Sequence, residues 1–281
     1  MVAPVGHRVA GVVLVGGHSS RMGTAKAALE WHGSTLLRRT LGILGRSFGG
    51  PLLVVCAPDQ RLPEIPPQVE VVEDAEKGLG PLQGIAAGLA ALAGRTDAAF
   101  VCSTDLPFLH PVFVRRVLTA LTDDLDVVLP VARGYPQPLA AAYRITLAPL
   151  AAELVTAGDR QLMSLFRRCA TVRLDDAALL ADPALATADP ALDSVVNVNS
   201  PDDYHAARRS PAPRVIVQCC GASGGSQIVH AATLSGAAAA VGLALDSHVT
   251  ARLNGDQIYR DGDLPLVGGD TVAFTRADAG G

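Results

Sequence analysis

The apolar run Val9-Ala10-Gly11-Val12-Val13 leads into Leu14-Val15-Gly16-Gly17-His18-Ser19-Ser20-Arg21-Met22-Gly23-Thr24-Ala25-Lys26, a loop with paired glycines and two spaced cations. Those residue types suit a polyphosphate. Glycines let the backbone approach a ligand and turn its N–H groups toward it, while Arg21 and Lys26 supply compensating charge. Two commoner phosphate motifs are excluded. Gly-x-x-x-x-Gly-Lys-Ser/Thr needs lysine directly after the second glycine, and Thr24 follows Gly23 here. The dinucleotide fingerprint Gly-x-Gly-x-x-Gly is also missing.

Three further groups carry chemistry. Asp105 stands in Ser103-Thr104-Asp105-Leu106-Pro107-Phe108, just after the buried-looking strand Ala98–Cys102. A carboxylate at the carboxyl end of a parallel strand is placed to hold Mg²⁺, and Asp-x-Pro is equally a common turn starter. Asp74 precedes Gly78-Leu79-Gly80-Pro81-Leu82-Gln83-Gly84. Such an acid can accept from the N–H donors of a guanine edge, with the glycines opening space for the base; an exposed acid beside a glycine-rich helix start is the plainer alternative. In Asn197-Val198-Asn199-Ser200-Pro201-Asp202-Asp203 an amide oxygen can be a second, uncharged metal ligand, or Ser200 or Asn199 can cap a helix that starts at Pro201. The seven histidines show no metal spacing.

These residues need a scaffold. Apolar, β-branched runs at Val9–Val15, Pro51–Ala57, Val69–Val72, Ala98–Ser103, Asp126–Val131 and Leu139–Tyr143 predict strands. Helices are expected between them: one capped by Ser34 with Leu37, Leu41 and Leu44 inward, one from Pro81 burying Ile85, Leu89 and Leu92, and one from Pro111 burying Val114, Val117, Leu118 and Leu121. The alternation argues for an α/β domain with a mostly parallel sheet covered on both faces. The proline-rich run at residues 208–213 reads as a linker. Beyond it, strands at Val215–Cys219, Gln227–Ala231, Val249–Asn254, Gln257–Tyr259 and Thr271–Thr275 surround an alanine-rich helix from Leu234 to Leu243, a small α+β module. The Gly221–Gly225 segment has no cation after it and reads as a hairpin loop.

The Leu14–Lys26 loop closely resembles the nucleotidyltransferase signature LxGGxSxRMGxxK, most of all that of the MobA-like enzymes, which join a nucleotide to molybdopterin. The segments around Asp105, Gly80 and Asn199 resemble that family's D-x-P-F, G-P-L-x-G and N-x-N-T-P-E-D. The resemblance implies a Rossmann-like three-layer nucleotidyltransferase domain over residues 1–207. It implies catalytic roles for Arg21, Lys26 and Asp105, and nucleotide contacts from Leu14, Val15, Gly16, Gly17, Lys26, Asp74, Gly80 and Asp105. It places Mg²⁺ on Asp105 and Asn199, with Asn197 close by, and Gln137-Pro138-Leu139 near the acceptor. Gly16-Gly17, where cytidine-using relatives tend to have Ala-Gly, points to GTP, with molybdopterin as acceptor. A cytidylyl- or sugar-1-phosphate transferase, or a carrier or scaffold with an inactive transferase domain, is the rival reading. The chain departs from the family at Ala25, where an Asp often precedes the lysine, and at Cys56-Ala57-Pro58, where an Asn often follows the second strand.

Residues 214–281 resemble the β-grasp (ubiquitin-like) MoaD/ThiS-like sulfur carriers, through Leu253-Asn254-Gly255-Asp256, Gly269-Asp270-Thr271-Val272-Ala273-Phe274 and the terminal Gly280-Gly281. The carboxylate of Gly281 is then the sulfur-bearing terminus. An adenylating or sulfur-transferring enzyme and the molybdopterin synthase large subunit become the implied partners.

Composition supports this setting. A net charge of −4 presents no basic surface for nucleic acid or membrane, and hydrophobic residues at 49% can fill a sizeable core. Lys26 and Lys77 are the only lysines among 23 basic residues. The five cysteines form no C-x-x-C, and neither a signal segment nor a membrane span is visible, so a reducing cytoplasm is expected.

Overall fold

The computed structural model describes residues 8–16, 26–74, 80–220, 225–258 and 261–276. The chain divides into two units, residues 1–29 with 36–201 and residues 30–35 with 202–281. In chain order the first elements are β1 (Val9–Val15), the short strands β2 (Glu30–Trp31) and β3 (Ser34–Thr35) of the second unit, and helix α1 (Leu36–Ser47). The first unit continues with β4 (Leu52–Cys56), β5 (Glu70–Glu73), α2 (Pro81–Ala91), β6 (Ala98–Ser103) and α3 (Pro111–Thr119). Next come β7 (Val127–Ala132), β8 (Tyr135–Pro136), β9 (Ala140–Arg144), α4 (Ala148–Thr156), α5 (Leu162–Phe166), β10 (Thr171–Asp175), α6 (Asp176–Leu180) and α7 (Pro183–Ala188).

The first unit's strands form one sheet in the order β10-β7-β9-β6-β1-β4-β5, with β8 folded back onto β7. β5, β4, β1 and β6 run parallel, whereas β9 lies antiparallel between β6 and β7. From β1 the chain steps outward to β4 and β5, then returns to β6 on the other side of β1. In open parallel sheets ligands bind where the strand order reverses, at the carboxyl ends of the flanking strands, here β1 and β6.

Alternation along β1 sends Ala10, Val12 and Leu14 into a core with Ile85 and Leu89 of α2 and Ala151 and Leu154 of α4. Gly11 points to the opposite face, where an added Cβ would lie 2.8 Å from Leu52 Cδ2 and 2.9 Å from Leu44 Cδ1 of α1. On the first face, a Cβ at Gly88 would stand 2.7 Å from Val12 Cγ1. Both helices therefore sit closer to the sheet than a side chain at either position allows.

Leu37, Leu41 and Leu44 of α1 are fully buried, but Ser34 does not cap that helix. It lies in β3 instead. His32 (φ 46°) and Gly33 (φ 95°) make the two left-handed positions of a tight turn that pairs β3 with β2. α3 begins at Pro111 as expected, capped by His110, whose Nδ1 accepts from Val112 N–H at 3.2 Å. β10 and helices α4 to α7 were not anticipated. β10 alternates only weakly and is largely solvated at the sheet edge.

The second unit adds α8 (Pro201–Arg208), β11 (Arg214–Cys220), β12 (Gly225–His230), α9 (Leu234–Ala240), β13 (Val249–Leu253), β14 (Asp256–Ile258) and β15 (Thr271–Arg276). Its sheet runs β12-β11-β15-β13-β14, with β11 and β15 parallel at the centre and the outer pairs antiparallel. Leu234, Ala237 and Ala238 of α9 pack on Val215, Val217, Val249, Val272 and Phe274. Asp270 is buried and clamps two loops, accepting from Asn254 Nδ2 at 2.9 Å and from Val267 N–H at 2.8 Å. The β2–β3 hairpin is held by α8: Tyr204 donates its hydroxyl proton to the Glu30 carbonyl, and Arg208 donates to the Glu30 carboxylate at 2.7 Å and to His32 Nδ1 at 2.8 Å. Residues 211–213 have no helix or strand, and residues 221–224 lie outside the described set. Among the described residues no helix is long and apolar enough to cross a membrane.

Candidate active site

The parallel strands deliver Leu14, Val15 and Gly16 (from β1) and Ser103 and Asp105 (from β6) to one edge of the sheet. Among the described residues, an added Cβ at Gly16 would meet nothing within 4 Å. The loop from Gly17 to Ala25, with Arg21, lies outside the described residues. The chain re-enters at Lys26, the first residue of a short 3₁₀ turn.

Lys26 Nζ lies 3.5 Å from Asp105 Oδ2 and donates to Asn199 Oδ1 at 3.2 Å. Three segments far apart in sequence thus converge on one cationic point. Asp105 is held on its other sides. The Ser103 hydroxyl donates to its Oδ1, and the Val198 N–H donates to its main-chain carbonyl at 3.0 Å. That second bond fastens the asparagine segment to the aspartate turn and brings Asn199 to the carboxylate. Val198 is itself buried, whereas Asn197 is exposed.

From the far side, Arg39 of α1 reaches in with its side chain buried and donates from Nε to the Pro107 carbonyl at 2.7 Å. Sequence reasoning passed over Arg39 and Ser103. Arg39 carries a readable signal, since it falls three residues after buried Leu36 and four before buried Ile43, on the helix's inward arc. Ser103 carries none beyond its place two residues before Asp105.

A second group forms beside β5. The Asp74 N–H donates to the Cys56 carbonyl at 2.8 Å, tying the residue after β5 to the end of β4. Its Oδ1 is buried with no hydrogen-bond partner among the described residues. Burial pushes its carboxyl above the usual aspartate range. A Cβ built on Gly84 would lie 3.2 Å from Leu14 Cδ2 and 3.7 Å from Asp74 Oδ2, so the glycine lets Leu14 and Asp74 share one small space. Gly80 precedes α2 with φ 86° and ψ 178°, a conformation open to glycine, and Pro81 follows at the first helical position. Cys56 ends β4 beside Asp74. Burial, then the Glu73 and Asp74 carboxylates, push its thiol up and keep it protonated.

Gln137 turns inward on its own loop. Its Nε2 donates to the Tyr135 carbonyl at 3.2 Å, and its N–H to the Pro130 carbonyl at 2.8 Å. The neighbouring Leu139 carbonyl accepts from Ser103 N–H at 3.3 Å, so this segment borders the Asp105 turn. Among the described residues no group of three or more His, Cys, Asp and Glu side chains gathers into a metal cage. Asp105 Oδ2 and Asn199 Oδ1 nonetheless form a hard, singly charged oxygen pair already turned to one cation. That donor set fits an ion such as Mg²⁺, which takes one or two carboxylates from protein and the rest from phosphate and water.

Comparison with known proteins agrees with this architecture. The family profile described as "MobA-like NTP transferase domain" matches residues 11–177. A protein of Mycobacterium tuberculosis H37Rv named "Probable molybdenum cofactor guanylyltransferase" is 38% identical over 209 residues, covering 73% of this chain and 96% of that protein. A protein of the same name from Mycobacterium marinum is 40% identical over 189 residues, covering 65% of this chain and 92% of its own. The crystal structure of molybdopterin-guanine dinucleotide biosynthesis protein A from Archaeoglobus fulgidus superposes with a TM-score of 0.54 at 25% identity, over 71% of this chain and 96% of that one. The chain therefore belongs to the MobA-like NTP transferase family and is a nucleotidyltransferase similar to the molybdenum cofactor guanylyltransferases.

Proposed function

We propose that the first unit transfers GMP from GTP to molybdopterin. The phosphate of molybdopterin attacks the α-phosphorus of GTP; its new P–O bond forms as the α–β bridge breaks, and pyrophosphate leaves. The observation that carries this reading is the convergence of Lys26, Asp105 and Asn199 at the carboxyl edge of β1 and β6. Phosphoryl chemistry of this type needs charge and alignment more than a covalent nucleophile. Leu14, Val15, Gly16 and Gly17 line the phosphates with main-chain groups. Arg21 holds the β- and γ-phosphates, and Lys26 neutralises charge near the reacting phosphorus. Asp105 and Asn199 hold Mg²⁺, which supplies Lewis-acid charge to the phosphates when bound.

Base choice rests on Asp74. Guanine offers an N1–H and an exocyclic amine side by side, and a carboxylate accepts from both. Its buried Oδ1, without a partner among the described residues, supports guanine over cytosine, whose corresponding edge offers only one donor group. Gly80 and Gly84 leave room for the base. The direct test is incubation with Mg²⁺, molybdopterin and either GTP or CTP, with product mass followed. A GMP adduct is expected; no adduct with active molybdopterin overturns the proposal, and a CMP adduct moves the chain to the cytidylyl class.

The second unit is read as a sulfur carrier of the MoaD/ThiS type, with Gly281 the bearing residue. Support comes from the strand order β12-β11-β15-β13-β14 around one helix, an order compatible with a β-grasp module, and from the Asp270 clamp. The adenylating or sulfur-transferring enzyme and the molybdopterin synthase large subunit are the partners this reading calls for, in the cytoplasm. Gly280 and Gly281 lie outside the described residues.

A further inference from the structure

We infer that Ser103 is a positioning residue that presents one chosen oxygen of Asp105 to the divalent cation. The inference rests on the metal reading given above for Asp105 and Asn199. A carboxylate can turn about its terminal bond and offer either oxygen, or both, to a cation. Here the two oxygens have different partners. Oδ1 accepts the hydroxyl proton of Ser103, the last residue of β6, and Oδ2 faces Lys26 Nζ at 3.5 Å, beside Asn199 Oδ1.

Ser103 is suited to this task because its own backbone is fixed. Its N–H donates to the Leu139 carbonyl at 3.3 Å, and its strand pairs with β1 through Leu14. The hydroxyl therefore projects from the rigid sheet, not from the loop that carries Asp105. The main chain of Asp105 is fixed separately, through its carbonyl and Val198 N–H. Loop position and carboxylate rotation thus have separate anchors, and only the second depends on Ser103. With Oδ1 engaged, Asp105 gives a single oxygen to the cation and leaves the remaining coordination sites to phosphates and water. Removing the hydroxyl frees the carboxylate to rotate, and the cation then bears the cost of fixing it again.

Three variants of the full-length protein are compared by Mn²⁺ electron paramagnetic resonance titration in the presence of GTP, with thermal melts as the folding control. In Ser103→Ala the Mn²⁺ dissociation constant should rise by about ten- to a hundred-fold, the usual consequence of losing a group that orients a metal ligand. Ser103→Thr, which keeps the hydroxyl, should bind within a few-fold of the parent. With GTP and molybdopterin, Ser103→Ala should show a raised metal requirement and recover most of its kcat at saturating metal. Unchanged Mn²⁺ affinity in Ser103→Ala, while Asp105→Asn binds weakly, overturns this inference alone. Unchanged affinity in Asp105→Asn overturns the metal reading and the inference with it. Weak binding in both Ser103→Ala and Ser103→Thr, with melting intact, also overturns it, since the hydroxyl is then not what matters.

Discussion

Lys26 Nζ donates to Asn199 Oδ1 at 3.2 Å across 173 positions of sequence, and the same nitrogen faces Asp105 Oδ2. The lysine thus sits on the very oxygens assigned to the metal. On the proposed metal reading, ammonium and divalent cation compete for that seat, and bound phosphate is expected to draw the lysine away. Lys26→Met should bind Mn²⁺ without nucleotide more tightly than the parent, by about tenfold if competition at these partly exposed groups is worth about 1.4 kcal/mol. It should nonetheless lose about 10²- to 10³-fold in GMP transfer, the usual loss on removing a group that stabilises transition-state charge. Isothermal titration and turnover measured on one preparation check both signs.

Asp74 should show the opposite balance between stability and function. Its folded-state carboxyl is raised by burial, so the native protein holds that proton more tightly than the unfolded chain. Its contribution to stability is therefore most favourable below the ordinary aspartate range and falls as pH rises through the raised value. Asp74→Asn should melt higher than the parent at neutral pH, with the gain shrinking as pH drops toward 4. GTP affinity should fall about ten- to a hundred-fold, since hydrogen bonds to a charged acceptor contribute about 1.5–3 kcal/mol. Melts across pH, paired with GTP and CTP titrations, test this.

Arg39 supports the aspartate loop from behind. Arg39→Met should destabilise by about 1–3 kcal/mol, because the Pro107 carbonyl loses a buried donor. Arg39→Lys should not restore it, since a point charge on a flexible stem does not replace a guanidinium fork. Urea unfolding of the three proteins measures the difference.

Two adjacent glycines provide an internal control for packing. A Cβ on Gly50 would fall 1.7 Å from the Val9 carbonyl oxygen, whereas one on Gly49 would meet nothing within 4 Å. Gly50→Ala should cost at least about 2 kcal/mol, as an overpacked site pressed against backbone. Gly49→Ala should lie within about 0.5 kcal/mol of the parent. Equal melting temperatures for the two would contradict the close run of that loop along β1.

Deletion of Gly280 and Gly281 should separate the two proposed activities. GMP transfer by the full-length protein should be unchanged. Thiocarboxylate formation with an adenylating enzyme, read by intact mass, should vanish.

The strands that cradle the site were legible because each is an uninterrupted apolar run, and β1 and β6 begin and end where the pattern does. The aspartate and asparagine segments, and their meeting at one ion, were expected from the resemblance alone; the bond that brings them together was not. It runs from Val198 N–H to the Asp105 carbonyl, and nothing in local spacing encodes a bond between strand end and distant loop. β10 escaped notice because an edge strand with one solvated face shows little apolar content. Ser34 was misassigned for a different reason. His32 takes the left-handed turn position that Asn or Asp usually signals, so the hairpin left no familiar mark.

The excursion at residues 30–35 has a consequence for how this chain is made and dismantled. The Leu36 N–H donates to the Leu29 carbonyl at 3.0 Å, so the hairpin leaves and re-enters the first unit through a pinched neck. Its partners Tyr204 and Arg208 lie 174 and 178 positions further along the chain, so these bonds can form only after that stretch has been made. A nick among residues 209–213 would cut within the second unit, with residues 30–35 and 202–208 on one side of the break and 214–281 on the other. Each unit is drawn from separate stretches of sequence, so neither can be excised with a single cut of the chain.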